Sequence, residues 1–284
     1  MSETTVCTPP EVNTTYTTIE GVSVVGGHPL EVVEDSTLKR RRMQRLSCGP
    51  TEAVTSPKQS GAMEDAVCMQ VAEDRILFAL IDTSRGCTGA ESMAERTVRY
   101  LAKQPAGTPF TKEVLRKTTP QGPGEKPEQD GSLSTYSPLV VEVTPGKLEM
   151  TGKGSNDVLV VKEIETNPKL MLYQPHQRSG ISYNRLHIAA SNAHGRHVPL
   201  SSADTAFCFS DGIDQAYLVG RVQELIRRGI RGTELTKQLL DEITNNCKTE
   251  RWQNGQPLLD DVSIVAIPGM GESQKMVSEE YVLS

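Results

Sequence analysis

RILFALIDTSRG, residues 75–86, contains six consecutive apolar residues that end at Asp82. A short apolar run bounded by polar and turn residues predicts a strand buried on both faces, although a segment of a buried helix has the same pattern. Asp82 stands where such a strand would leave the core. An ionised carboxylate at that depth needs a cation, a metal ion or hydrogen-bond donors. The stretch therefore predicts a central strand that delivers an acidic side chain to a site.

Three further segments repeat this arrangement of an apolar run with acidic residues at one end. They are residues 205–212 (TAFCFSDG) with Asp211, residues 258–267 (LLDDVSIVAI) with Asp260 and Asp261, and residues 61–72 (GAMEDAVCMQVA) with Glu64 and Asp65. Asp and Glu are uncommon inside strands, and any one of these acids alone is explained as a residue that caps a strand or a turn. Four such placements in distant segments favour one convergent acidic site.

The composition is typical of a globular chain with polar extensions, since 36% of the 284 residues are hydrophobic and 23% are charged. A net charge of -6 gives no basic surface for nucleic acid, and we interpret the basic run at residues 39–42 as a solvated flank or a patch for an acidic partner. No apolar stretch reaches the roughly 20 residues that span a bilayer. The N-terminus also lacks the pattern of a secretory signal.

The six cysteines are scattered without the spacing of a zinc site. Cys68 and Cys208 lie inside apolar runs, which predicts buried free thiols. The histidines of residues 176–197 match no zinc motif either, and we interpret them as surface residues. Free thiols are typical of a reducing compartment. We therefore expect a cytoplasmic protein, placed in a cytoskeletal or other large assembly, that binds neither membrane nor nucleic acid.

The chain divides into an extended N-terminal tail at residues 1–38, a domain at residues 39–268 and a polar C-terminal tail at residues 269–284. The N-terminal tail has little large apolar surface, so either the domain or a partner must hold it. Within the domain we expect strands at residues 41–47, 66–72, 75–81, 139–143, 147–150, 158–164, 170–173 and 262–267. We expect a polar loop at residues 50–60. Helices are expected after Gly86 and at residues 108–115, 218–228 and 233–246. An early hairpin and a later meander indicate antiparallel sheets with helices outside, an α+β layered domain.

The order of the acidic and glycine-containing segments resembles the metal-dependent Ser/Thr protein phosphatases of type 2C, which carry the PPM-type phosphatase domain. The matching segments are Met63-Glu64-Asp65, residues 82–86 (DTSRG), Gly131-Ser132, residues 152–156 (GKGSN), Ser210-Asp211-Gly212 and residues 260–263 (DDVS). The resemblance covers about residues 41–267. It implies a four-layer sandwich of two central antiparallel β-sheets flanked by helix pairs.

By this resemblance the acids would hold two Mg or Mn ions, which prefer carboxylate oxygens and retain several waters. The implied metal set consists of Glu64, Asp65, Asp82, Thr83, Asp211 and Asp260. Asp82 would bridge the two ions. Glu64 and the carbonyl of Thr83 would serve one ion, and Asp211 and Asp260 would serve the other. Such a pair activates a bridging water and stabilises the leaving oxygen.

The chain departs from the family at the residues that handle phosphate. The family's phosphate-binding Arg falls near Ser60, and Lys58 or Arg85 would have to replace it without the same bidentate fork. Ser84 stands where the family has a His general acid, and a hydroxyl cannot supply a proton near neutral pH. Thr83 stands where the family has a Gly in a tight turn.

Two further departures concern the surroundings of the site. Lys153 or Gly154 stands where the family has another carboxylate, and the chain before Ser210 lacks most of the flap beside the active site. These losses favour a pseudophosphatase, a degenerate member that acts as a binding or scaffold component and contacts protein partners through residues 1–38. The retained carboxylates favour the alternative, an active or weakly active Mg/Mn-dependent phosphoserine/phosphothreonine phosphatase. An unrelated α+β domain is the third interpretation.

Overall fold

The computed structural model describes residues 16–19, 22–25, 28–35, 40–48, 50–56, 65–72, 75–83, 90–105, 107, 136–152, 156–163, 168–174, 191–192, 196–252 and 254–270. The strands are β1 Tyr16–Ile19, β2 Val22–Val25, β3 His28–Asp35, β4 Arg40–Cys48, β5 Thr51–Ser56, β6 Ala66–Val71, β7 Ile76–Thr83, β8 Tyr136–Thr144, β9 Lys147–Gly152, β10 Asp157–Lys162, β11 Lys169–Gln174, β12 Ser191–Asn192, β13 Arg196–Pro199, β14 Thr205–Phe209 and β15 Val262–Pro268. The helices are α1 Ala90–Ala102, α2 Gln215–Arg227 and α3 Gly232–Thr249.

The strands form two sheets. The first, sheet A, has the order β1-β2-β6-β7-β8-β9-β13, and the second, sheet B, has the order β12-β11-β10-β14-β15-β5-β4-β3. Their pairings are antiparallel except for β2 with β6 and β11 with β12. The antiparallel character predicted from the sequence is therefore confirmed.

The centre of the molecule is an apolar layer between the two sheets. On β7, Phe78 and Leu80 face this layer, whereas Leu77 and Ala79 pack on the opposite face under α1. Successive strand residues alternate between the two faces of the sheet. Both sets are buried because each face is covered. The continuous apolar run that ends at Asp82 is thus a central strand covered on both sides, as predicted.

The outer face of sheet B is covered by two helices. Phe207 and Phe209 of β14 pack there against Leu218 of α2 and Leu239 of α3. These helices lie where the apolar stripes of the sequence predicted them, because one apolar face recurring every three to four residues must be buried. Helices therefore lie outside both sheets, and the predicted α+β sandwich is confirmed. No helix among the described residues is both long and apolar enough to cross a membrane.

Two sequence predictions about connections are wrong. The polar loop expected at residues 50–60 contains β5, which pairs with β15 and β4 in the interior of sheet B. Its TEAVTS sequence lacks large apolar residues, yet Ala53 packs in the layer between the sheets and Val54 packs on the opposite face under the helices. The expected meander is also divided, because β8 and β9 belong to sheet A whereas β10 and β11 pair in sheet B.

The N-terminal segment contributes strands to both sheets. Strand β2 pairs with β6, and β3 pairs with β4. Strands β2 and β3 are thus held by the domain's own strands, one of the two arrangements expected for this segment, and β1 pairs with β2. The helix expected at residues 108–115, the loop expected after it up to residue 135 and the C-terminal tail beyond residue 270 lie outside the described residues.

Candidate functional site

Four chain segments meet at one end of the two sheets, and we call this region the acidic mouth; it comprises Asp65, Asp82, Asp211, Asp260 and Asp261. In sheet A, Asp65 precedes β6 and Asp82 lies near the end of β7, and the two strands pair through Ala66 and Ile81. In sheet B, Asp211 follows β14 and Asp260 and Asp261 precede β15. The structure therefore brings the four acidic segments to the same end of the two sheets, and the metal-binding roles assigned to their side chains remain predictions.

Asp65 connects the two sheets at this mouth. It is 3% exposed, and its backbone N–H donates to Oδ2 of Asp261 at 3.2 Å, while Asp261 is itself 2% exposed. Burial raises the pKa of the Asp65 carboxyl well above its usual value, and the charges of Asp82 and Asp261 raise it further. The Ser263 and Ser210 hydroxyls oppose this increase in the pKa.

The Asp65 carboxyl is incompletely satisfied. Its Oδ2 atom is buried and has no hydrogen-bond partner of acceptable geometry among the described residues, although the two serine hydroxyls lie near the carboxyl. A buried charge without donors is costly, so the neutral form is favoured unless a cation approaches. This electrostatic arrangement is typical of a position where a proton or a cation compensates clustered carboxylates.

Hydrogen bonds in sheet B fix the Ser210-Asp211-Gly212 turn against the start of β15. The Ser210 backbone N–H donates to the Ser263 carbonyl at 2.9 Å, and the Ser210 hydroxyl donates to the Asp261 carbonyl at 3.2 Å. The Ser263 N–H in turn donates to Ser210 Oγ at 3.0 Å. A Cβ atom on Gly212 would lie 1.8 Å from the Asp261 carbonyl oxygen, so only glycine fits this close approach.

Asp211 and Asp260 lie at the solvent-exposed side of the acidic mouth. Both residues are exposed, whereas Asp82 is partly buried. Asp260 Oδ1 accepts the backbone N–H of Asp261 at 2.9 Å, which ties its side chain to its own turn. Asp211 is held next to this turn by the hydrogen bonds of Ser210. The mouth thus has a buried side, formed by Asp65 and Asp261, and an exposed side.

A further segment that reaches this end is the GKGSN motif. Asn156 is 1% exposed, and its side-chain amide donates to the Ser137 carbonyl of β8, the residue opposite Asp82 in the ladder. Asn156 precedes β10 in sheet B, so this hydrogen bond also links the two sheets. We predicted no role for Asn156 from the sequence. Its position at the end of a matched motif was the available signal.

Several predicted site residues lie outside the described part of the chain. They are Lys58, Ser60, Glu64, Ser84, Arg85, Lys153 and Gly154. Thr83 ends β7 opposite Tyr136 of β8, which leaves its backbone at the mouth. The assignments of these residues to metal or phosphate therefore remain predictions.

The donor chemistry of the acidic mouth fits a hard divalent cation, because carboxylate oxygens are the ligands that Mg and Mn prefer. The unsatisfied Oδ2 atom of Asp65 is an additional oxygen of this kind. Among the residues that the structure describes, however, no group of three or more His, Cys, Asp or Glu side chains is arranged to hold an ion. Glu64, a predicted ligand, is not among those residues.

No model of a known protein family matches the sequence, and no curated protein sequence matches it. Solved structures with a similar fold include the PP2C domain of SiaA from Pseudomonas aeruginosa, with 13% identity, TM-score 0.47, and coverage of 77% of this chain and 85% of that one. The PP2C phosphatase domain of SpoIIE from Bacillus subtilis, with a fragment of its regulatory domain, has 13% identity, TM-score 0.48, and coverage of 77% and 63%. The catalytic domain of the serine/threonine phosphatase PstP, solved with two manganese ions, has 14% identity, TM-score 0.43, and coverage of 76% and 96%.

Proposed function

We propose that this chain is a type 2C phosphatase-like domain that keeps an acidic mouth but has lost the groups that handle phosphate. It would act as a pseudophosphatase, a binding or scaffold component of a larger assembly. The observation that carries this proposal is the hydrogen-bonded contact between Asp65 and Asp261, which brings acidic segments of both sheets together. The mouth matches the order of the family's metal-binding motifs, whereas the phosphate-handling positions do not.

The sequence departures explain why little hydrolysis is expected. A phosphatase must bind the phosphate oxygens and protonate the leaving oxygen. By the resemblance, the Arg that would bind phosphate is missing at or before Ser60, and Ser84 replaces the His that would donate the proton. Removal of a charge-stabilising donor or of a general acid each typically costs about a hundredfold or more in rate. Because the two losses affect different parts of the same step, their combined effect would leave little turnover.

Divalent cation binding is part of the proposal. Glu64, Asp82 and the Thr83 carbonyl would hold one Mg or Mn ion, and Asp82, Asp211 and Asp260 a second, with Asp65 behind them. Such ions would supply positive charge that polarises bound water and compensates phosphate oxygens. The carboxylates of the mouth would orient the ions, and the buried Asp65 would become ionised in their presence because an adjacent cation favours the charged form.

The alternative function is an active or weakly active Mg/Mn-dependent phosphoserine/phosphothreonine phosphatase. The acids at the mouth favour this alternative, since a pair of hard cations can activate water without a protein base. In that case Lys58 or Arg85 would bind phosphate in place of the missing Arg.

Turnover separates the two functions. Purified protein is incubated with an aryl phosphate and with a phosphothreonine peptide in Mn, beside an Asp82→Asn variant that keeps the shape of the side chain. We expect no turnover above the variant. Turnover that the variant abolishes would establish the alternative, whereas calorimetric binding of Mn without turnover would support the pseudophosphatase.

The proposed scaffold role concerns protein partners, with residues 1–38 as the contact segment and the cytoplasm as the location. Strands β2 and β3 pair with the domain, so removal of the whole segment would also disturb the sheets. We therefore compare a chain lacking residues 1–15, which retains all described strands, with the full chain in co-purification. Circular dichroism checks the fold. Equal recovery of partners by the two chains would exclude a contact through residues 1–15.

A further inference from the structure

The end of β14 departs from a regular antiparallel ladder at Ser210. Phe209 pairs with Ile264, and the next rung joins Ser210 and Ser263. In a regular rung of this kind each residue donates its N–H to the carbonyl of the other. The Ser210 N–H does donate to the Ser263 carbonyl, but the Ser263 N–H donates to the Ser210 hydroxyl instead of the Ser210 carbonyl.

The Ser210 carbonyl is used for a turn. It accepts the N–H of Ile213 at 3.1 Å, which closes the turn that carries Asp211 and Gly212. The hydroxyl of Ser210 therefore takes the place of its own carbonyl in the ladder. This exchange lets the backbone leave the sheet at Asp211 while the start of β15 stays paired.

The same hydroxyl also contacts the segment of Asp260. As a donor it reaches the Asp261 carbonyl at 3.2 Å, and as an acceptor it receives the Ser263 N–H at 3.0 Å. Ser210 and Ser263 are both 0% exposed, so water cannot replace either hydrogen bond without a rearrangement. The hydroxyl thus joins the two turns that bear the exposed acids of the mouth.

We propose that Ser210 is a positioning residue, whose hydroxyl sets the relative position of the Asp211 and Asp260 turns. It would act through the backbone of Asp261 and Ser263 and would not itself contact a ligand. This inference rests on the proposed function, because the acids it positions are the predicted cation ligands. Serine suits this place because the hydroxyl both donates and accepts.

The test uses the full chain and Mn²⁺ alone as the probe, with affinity measured by calorimetry. Ser210→Ala and the nearly isosteric Ser210→Cys should weaken Mn²⁺ binding at least tenfold, and Ser210→Thr, which keeps the hydroxyl, should restore it. Thr244→Val is the matched control, because Thr244 is 3% exposed and its hydroxyl has no hydrogen-bond partner among the described residues. This control should bind Mn²⁺ as the unmodified chain does.

Amide hydrogen exchange without metal gives a second readout. In Ser210→Ala the Ser263 amide should exchange at least tenfold faster, whereas core amides of β7 should change much less. Unchanged Mn²⁺ affinity in Ser210→Ala, with or without faster exchange, would overturn the positioning role while leaving the cation site intact. Absence of Mn²⁺ binding by the unmodified chain would overturn the cation site and the positioning role together.

Discussion

Replacement of Gly212 by alanine tests the close approach on which the acidic mouth depends. The added Cβ would lie 1.8 Å from the Asp261 carbonyl oxygen and 2.7 Å from its carbonyl carbon. Ordinary contact begins near 3.4 Å, so the two backbones must separate by more than 1 Å. Neither neighbour is the end of a flexible side chain, because both atoms belong to the backbone that leads into β15.

The expected cost follows from this geometry. Overpacking of a close-packed interior typically costs about 1–3 kcal/mol, and a clash with backbone belongs at the upper end. For a chain of this size a loss of about 3 kcal/mol lowers the melting temperature by roughly 6–12 °C. Because Gly212 follows Asp211 and Asp261 follows Asp260 in the chain, this separation would move the two exposed acids apart, and Mn²⁺ affinity should fall as well.

Two glycine variants serve as controls. In Gly269→Ala the Cβ would lie 1.9 Å from the Ser201 carbonyl oxygen, a clash of the same kind. Gly269 follows β15 whereas Asp261 precedes it, and the seven strand residues between them separate the two by about 26 Å. A Cβ atom on Gly220 in α2 would have no neighbouring atom within 4 Å, so Gly220→Ala should stabilise the chain by about 0.5–1 kcal/mol.

Thermal unfolding measures the stability, and calorimetry the Mn²⁺ affinity, of the unmodified chain and the three glycine variants. We expect Gly212→Ala and Gly269→Ala to lose similar stability, and only Gly212→Ala to lose cation affinity. A Gly212→Ala protein with the stability and affinity of the unmodified chain would refute the contact between the two turns. Equal loss of affinity in both variants would show that affinity follows global stability and not the local position of the acids.

Three further predictions concern buried ionisable groups. Arg75 donates to the carbonyls of Ala102 and Gln104 at the end of α1 and lies 3.5 Å from the 3% exposed side chain of Glu142. Chemical denaturation should therefore show that Arg75→Met lowers the free energy of unfolding by about 3 kcal/mol, because the substitution leaves Glu142 buried without its partner. The double variant with Glu142→Gln should recover part of this loss, and no recovery would contradict the ion pair. The pKa of Asp65 is raised in the folded state, so the metal-free protein should lose stability as the pH rises from the carboxyl's ordinary pKa through the raised one. Urea titrations in the presence of a chelator measure this dependence, and Asp65→Asn should flatten it. Burial raises the pKa of the Cys247 thiol to about 12, so iodoacetamide should modify this cysteine only after unfolding. Peptide mass spectrometry detects the modification. Rapid modification of the native protein would contradict the burial of Cys247.

The elements that the sequence predicts well are those whose burial is evident in their own residues. Strand β7 is recognisable because both of its faces are apolar, and α3 because its apolar residues recur on one face. Strand β5 escapes detection because its TEAVTS sequence is no more apolar than a loop, and its burial depends on the neighbouring strands β4 and β15. The division of β9 and β10 between sheets is likewise decided by packing between distant segments.

At the candidate site, too, the features that depend on one segment can be predicted from the sequence, whereas those that depend on contacts between distant segments cannot. Acids at strand ends, such as Asp82 and Asp211, are visible in the sequence because the apolar run stops at them or one residue before them. The role of Ser210 depends on the ladder register with Ser263, and that of Asp261 on a hydrogen bond to Asp65 from the other sheet. No spacing within one segment contains these relations, so pattern reasoning locates the mouth but not the hydrogen bonds that hold it.

The burial of carboxylates at the acidic mouth costs free energy, and this cost couples the stability of the domain to cation binding. Burial raises the pKa of the Asp65 carboxyl, and repulsion from Asp82 and Asp261 raises it further. At neutral pH the apo domain must therefore either keep a proton in this cluster or bear the free energy of a buried charge. Asparagine at Asp65 would avoid this cost while retaining the backbone N–H that donates to Asp261. A cation at the mouth would remove the same cost, because its charge stabilises all three carboxylates at once. Cation binding and stability are thus coupled through Asp65, and Mn²⁺ should raise the melting temperature of the unmodified chain more than that of Asp65→Asn, even if neither protein hydrolyses phosphate.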